Sequence, residues 1–167
     1  MLATAIEDPN PVLFFEHKAL YRSVYQEVPV DYYTLPLGKA SVLREGQDIS
    51  VVTFGAGVHW ILELLQDVPE IAVEVIDLRT LAPLDTDAIY ASVRKTGKLL
   101  ILQEDSLFGG VASDISALVM ENCFESLDAP VQRLASLETP IPFAAELERN
   151  YLPKSRLKEA LLALVAY

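Results

Sequence analysis

The stretch Val73-Glu74-Val75-Ile76-Asp77-Leu78, followed by Arg79-Thr80-Leu81-Ala82-Pro83-Leu84-Asp85, constrains this chain more than any other. A short, largely apolar run rich in β-branched residues reads as a strand covered on both faces, the environment found inside a parallel sheet. The polar turn behind it leads to a helix opened by Pro83 and Asp85. Proline presets a helical φ there, and aspartate accepts from the free N–H groups of a first turn. A buried strand that runs directly into a helix needs a return crossing over the sheet. The expected architecture is therefore a mostly parallel sheet with helices on both faces.

The same alternation recurs from Gly38 onward. Ala40 to Arg44 alternates like an edge strand, Glu45 to Asp48 is a turn, and Ile49 to Phe54 is a second buried strand. Val58 to Leu65 has helical spacing and is bounded by Pro69. The third strand covers Ala72 to Leu78. The next helix runs from Asp85 to Thr96, with Gly97 as its C-cap. A fourth strand over Lys98 to Gln103, a helix over Gly110 to Cys123, a short strand over Val131 to Ala135 and an amphipathic helix over Ser155 to Val165 complete the series.

Residues before Gly38 read differently. Thr4 to Asp8 looks like the tail of a helix stopped by Pro9-Asn10-Pro11. Val12-Leu13-Phe14-Phe15 is an unbroken apolar run and is expected to form a buried strand. Bare of partners, such a strand predicts self-association, as a homodimer or by strand exchange. Residues 16–37, with Pro29, Pro36, Tyr32 and Tyr33 and little periodicity, read as an extended linker.

Composition excludes several classes. At 167 residues and 51% hydrophobic content the chain can bury one core. A net charge of −11 argues against nucleic acid, whose phosphates need a basic footprint, and suits docking to a basic protein segment. No apolar stretch approaches the length of a membrane helix, about eighteen residues, and the N-terminus lacks the pattern of a signal peptide. One cysteine, Cys123, cannot form an internal disulfide; it reads as a small buried residue of a helix.

The motifs that carry chemistry are weak. Gly55-Ala56-Gly57 opens a helix after a strand, with Asp77 about twenty residues on, and imitates a dinucleotide-binding fingerprint. Trp60 stands where the third glycine belongs, so a tight structural turn explains the glycines better. Gly109-Gly110 precedes a helix, yet the neighbouring Glu104 and Asp105 disfavour a phosphate, and a structural loop is expected. His17 and His59 have no nucleophile or zinc pattern around them; a hydrogen-bonded structural role is expected for His17. No catalytic or cofactor-binding residue is assigned.

Taken together, Val73 to Asp85 and Gln103-Glu104-Asp105-Ser106-Leu107-Phe108-Gly109-Gly110 resemble the C-terminal domain of transketolase-like enzymes. Ala5 to Arg22, Leu35 to Ala40, Leu127 to Pro130 and Thr139 to Pro142 extend the resemblance over the whole chain. They point to the beta chain of thiamine-dependent 2-oxo acid dehydrogenases. FFEHKALYR and Tyr151-Leu152-Pro153 are most similar to branched-chain (2-oxoisovalerate) or broad-range members.

The resemblance implies a three-layer α/β/α fold on a five-stranded mixed, mostly parallel sheet whose first strand is antiparallel to the rest. Residues 1–15 would be the end of a truncated pyrimidine-binding domain, 16–37 a linker, and 38–167 the transketolase C-terminal-like domain. In this family the whole enzyme decarboxylates a branched-chain 2-oxo acid or pyruvate on thiamine diphosphate with magnesium, and acylates the lipoyl arm of an acyltransferase. The sequence has no G-D-G motif for the diphosphate, so this part by itself is expected to be inactive and Met1 not to be the natural start. Ala5, Asp8 and Asn10 match part of a potassium site. Asp128 and the terminal carboxylate at Tyr167 match positions that dock the acyltransferase's peripheral subunit-binding domain, although Asp128 also reads as a turn residue before Ala129-Pro130. The implied partners are an alpha chain, a second beta copy and that acyltransferase, and the implied compartment is the bacterial cytoplasm or the mitochondrial matrix. The alternatives are the corresponding domain of a transketolase or deoxyxylulose-phosphate synthase, a non-catalytic α/β binding module, and a nucleotide-binding domain resting on Gly55 and Gly57.

Overall fold

A computed structural model describes all of residues 1–167. The sheet is built on β2 (Ile49–Thr53), β3 (Val73–Asp77) and β4 (Leu99–Ser106), with edge strands β1 (Ser41–Arg44) and β5 (Gln132–Ser136). Its order is β1-β3-β2-β4-β5. β2 runs parallel to β3 (Ile49 opposite Val73) and to β4 (Ser50 opposite Leu99), and β4 runs parallel to β5. Only β1 is antiparallel, pairing with β3 through a register shift between Val42 and Arg44. Every residue of β2 is buried, as are Leu99 to Gln103 of β4, which is why these strands lack apolar–polar alternation.

Helices cover both faces. On one lie α3 (Ala56–Leu64) and α7 (Leu157–Val165), whose Leu157, Ala160, Leu161 and Leu164 form a single stripe at helical spacing. They close a core around Ile49, Val51, Val73, Val75, Leu100 and Leu102. The other face carries α4 (Thr86–Thr96) and α5 (Val111–Cys123), with Val52, Ile76, Ile101, Ile89, Val93 and Ile115 in the second core. Alternate residues of each strand thus feed opposite cores, each large side chain contributing about 1.5–3 kcal/mol of burial. Cys123 is buried in the second core, as expected.

Glycines sit where a side chain would break the design. A Cβ at Gly57 would collide with Thr53 Oγ1, so α3 lies closer to β2 than any larger residue permits. Gly97, at φ 70°, ends α4 in the left-handed conformation and returns its N–H to the Val93 carbonyl.

The N-terminal part departs from expectation. α1 (Leu2–Glu7) is the expected helix stopped before Pro9. Val12–Phe15, however, is not a strand: it has no sheet partner, and Leu13 and Phe15 are 85% and 87% exposed. An apolar run becomes a buried strand only when a neighbour offers its N–H and C=O groups, and none of the five strands lies beside it. The linker is not wholly extended either, since Leu20–Ser23 forms a one-turn helix, α2, whose first N–H is received by the His17 carbonyl. Another helix without a sequence signal, α6 (Ala145–Tyr151), buries only Tyr151.

Candidate functional site

The connections from β2 to β3 and from β4 to β5 leave in opposite directions, so the carboxyl ends of β2 and β4 flank the topological switch point, where open α/β sheets bind ligands. Here that crevice is lined by structural contacts. Gly55 turns the chain at φ 58° into α3. Buried Gln103 accepts from the Ala112 N–H at 2.8 Å and donates to the Ser106 carbonyl at 2.5 Å. Its amide thereby occupies the Ala112 N–H in the first turn of α5, the place a phosphate would take in a dinucleotide-binding fold. A Cβ on Gly110 would strike the same amide. Thr53 Oγ1 bridges the crevice by donating to the Leu102 carbonyl at 2.9 Å.

Beside the crevice, His17 Nε2 lies 2.9 Å from Glu104 Oε2, joining the N-terminal segment to the end of β4. Ser136 Oγ donates to the Glu104 carbonyl and ties the same residue to β5. His17 Nδ1 is buried without a partner. Across β3, Asp77 Oδ1 accepts the Arg79 N–H at 3.1 Å, which holds Arg79 at φ 58° in the left-handed region. Burial pushes the Asp77 carboxyl above the usual range, against the pull of the Arg79 N–H, the Arg79 charge and His59.

Two further charged groups organise the helices. Asp85 caps α4 through Ala88 N–H at 3.4 Å, receives Ala40 N–H at 3.0 Å and faces Lys39 at 3.5 Å. Burial works against its ionisation, yet these partners prevail and hold the carboxyl below its ordinary pKa. Glu74, the one charged residue within buried Val73–Ile76, is 3% exposed and bonds to Lys95 of α4, which also reaches Glu45 at 2.9 Å. The Glu74 and Glu45 hydrogen bonds raise the Lys95 ammonium above the usual lysine value. A lone acid inside an apolar strand is the sequence signal that could have pointed to such a counter-ion.

The candidate partner residues lie at the opposite end of the sheet. Asp128 is exposed, its N–H donates to the Gly97 carbonyl at 2.8 Å, and its carboxylate rests against Gly97. The next residue, Lys98, donates to the Val165 carbonyl at 2.7 Å, two residues before exposed Tyr167. Asp128 and the end of α7 are thus gathered around Gly97-Lys98 at the amino end of β4, although 37 positions separate Asp128 from Val165. The turn reading and the docking reading of Asp128 are compatible, because the backbone makes the turn and the carboxylate stays at the surface. Ala5, Asp8 and Asn10 stay together at the end of α1. Asp8 Oδ1 accepts from the Asn10 backbone N–H at 2.8 Å and its side-chain amide at 3.0 Å. Pro9 has no N–H to offer, so the Ala5 carbonyl lacks its helical partner.

Several large apolar side chains stand exposed. Phe15, Tyr25, Phe108, Ile141 and Phe143 are all more than two-thirds open to solvent. An open three-layer α/β domain is the class the fold defines. The chain belongs to the transketolase C-terminal domain family, whose sequence model matches residues 38–156.

Its relatives extend the likeness beyond that domain. It is 43% identical over 169 residues to the 2-oxoisovalerate dehydrogenase subunit beta of Bacillus subtilis, covering 99% of this chain and 52% of the relative. It is 45% identical over 158 residues to the pyruvate dehydrogenase E1 component subunit beta of the same organism, covering 93% and 48%. A solved split-gene transketolase, described as an inactive beta4 tetramer, superposes with a TM-score of 0.68 at 25% identity over 84% of this chain and 46% of that one. The chain spans about half the length of the curated relatives it matches. The resemblance to 2-oxo acid dehydrogenase beta chains and the expected three-layer fold are both borne out.

Proposed function

We propose that this chain is the assembly and docking part of the beta subunit of a thiamine diphosphate-dependent 2-oxo acid dehydrogenase, an oxidoreductase acting on a branched-chain 2-oxo acid or pyruvate. The observation that carries the reading is 43% identity across 99% of the chain to a 2-oxoisovalerate dehydrogenase beta subunit. The exposed apolar side chains support an assembly role, with an alpha chain and a second beta copy as the partners. Thiamine diphosphate and magnesium would belong to the whole enzyme, where they supply the carbanion-stabilising chemistry. The residues present do not fit a diphosphate, because Gln103 takes the Ala112 N–H at the α5 N-terminus, Glu104 and Asp105 stand beside it, and no G-D-G motif occurs. Relatives from a bacterium and from plant mitochondria favour the bacterial cytoplasm or the mitochondrial matrix as its compartment.

At the amino end of β4, Asp128 and the Tyr167 carboxylate would meet the basic peripheral subunit-binding domain of the lipoyl acyltransferase through charge-assisted hydrogen bonds. The Ala5 carbonyl and the free oxygen of Asp8, next to Asn10, would contribute oxygen ligands to a potassium ion, a hard cation suited to them. Calorimetric titration with the subunit-binding domain at low and high salt tests the docking. Binding that weakens with salt and falls in Asp128→Ala is the expected result. A folded protein that fails to bind, or binds indifferently to both changes, overturns the docking role.

A further inference from the structure

Residues 9–34 form a loop closed on itself at its base. Thr4 Oγ1 donates to the Leu35 carbonyl at 2.7 Å and receives the Leu35 N–H at 3.1 Å, and Tyr32 donates to Glu7. Beyond the base, Gly38 N–H donates to Thr80 Oγ1 at 3.0 Å and secures the chain to the β3–α4 connection. Between these clasps only His17, Leu20 and Val24 are shielded from solvent, all others being exposed. The three recur at intervals of three and four residues, so they share the inward side of the turn that α2 makes. Of the loop's side chains, only that of His17 makes a hydrogen bond to the sheet, and it reaches Glu104 at the carboxyl end of β4. The Glu104 carbonyl is in turn fastened by Ser136, so the anchor stands on two strands and is rigid.

We propose that residues 9–34 are a strap, and that the His17–Glu104 hydrogen bond is the latch that keeps it beside the switch-point crevice between β2 and β4. With the latch closed, α2 is held at the end of β4. With it open, the loop swings on the Thr4–Leu35 base and leaves Glu104 uncovered. The apolar contact of Leu20 and Val24 is too small to hold twenty-six residues in place against their conformational freedom. This inference concerns a contact inside the chain and stands independently of the docking proposal.

Hydrogen exchange on the full chain tests it through two amides. Val24 N–H donates to the Leu20 carbonyl and Leu20 N–H to the His17 carbonyl, so both report whether α2 persists. In His17→Ala and in Glu104→Ala, their protection is expected to fall about three- to tenfold, the loss of one partly exposed hydrogen bond to a charged acceptor. Protection in β2, β3 and β4 stays unchanged, which separates an open latch from a general loss of stability. The double variant is expected to match either single one, because each removes the same bond. Protection at Leu20 and Val24 that is unaffected in both single variants, or additive losses in the double variant, overturns the latch.

Discussion

The Lys95–Glu74 pair permits a quantitative test of what holds α4 on the sheet. Replacing Lys95 by Met keeps most of the side chain's apolar length and removes its charge. Glu74, 3% exposed, would then be buried without its cation. Removing one partner of a buried pair costs about 3–5 kcal/mol when the survivor stays charged. Taking up a proton sets a ceiling, since protonating a carboxylate of ordinary pKa at pH 7 costs about 3.7 kcal/mol. Lys95 is itself 37% exposed, so water can enter behind a shortened or neutral side chain and lower the cost further. The expected loss is therefore about 2–3 kcal/mol at pH 7 by urea unfolding.

The pH dependence distinguishes this cause from simple loss of packing. A stranded carboxylate destabilises by being ionised, so the deficit of Lys95→Met shrinks as pH falls from 7 toward 4.5. Pairing Lys95→Met with Glu74→Met removes the stranded charge and restores most of the lost stability. A deficit under about 0.5 kcal/mol, or one equal at pH 7 and pH 5, would refute the assignment of Lys95 as the necessary counter-ion.

Asp85 and Asp77 give opposite pH signatures. The Asp85 pKa is depressed in the fold, so its contribution is present above the ordinary aspartate value near 3.9 and is lost as pH falls through the folded value. Asp85→Ala removes the α4 cap and the Ala40 acceptor together, with an expected loss of about 1–3 kcal/mol at pH 7 that shrinks in acid as the parent's carboxylate takes up its proton. The Asp77 pKa is raised by burial, so its ionisation opposes folding as pH rises from the unfolded value through the folded one. Asp77→Asn keeps an acceptor for the Arg79 N–H and is expected to unfold at higher urea than the parent at pH 7, with the advantage vanishing below pH 4.

The layered sheet was legible because its strands are so evenly buried. Ile49–Thr53 and Leu99–Gln103 are buried on both faces and largely apolar, and that pattern admits few structures besides the interior of a parallel sheet flanked by helices. The cap at Asp85 and the stop at Gly97 were legible for local reasons, since each acts within one helical turn. By contrast α6 left no trace: Ala-Glu-Leu-Glu-Arg-Asn-Tyr buries a single side chain, so there is no apolar stripe to read. Contacts that depend on tertiary closure were equally invisible. Asp128 meets Gly97, and His17 meets Glu104 across 87 residues, through crossings whose end points no local pattern encodes.

The misreading of Val12–Phe15 is the most instructive, because the same residues carry the strongest hint about association. An apolar tetrapeptide states a demand for burial, and the sequence rule supplies a strand because that is the usual way to meet it. The structure shows the demand unmet within this chain: Leu13 and Phe15 stand open, and so do Tyr25, Phe108 and Phe143. Leaving several aromatic side chains in water forgoes about 1.5–3 kcal/mol each. A fold that fills two cores completely, with twelve large side chains under 2% exposed, has no difficulty burying apolar groups where its own elements can reach them. The exposed aromatics therefore mark surface that the elements of this chain do not cover, which is the physical basis for reading it as a component of an assembly.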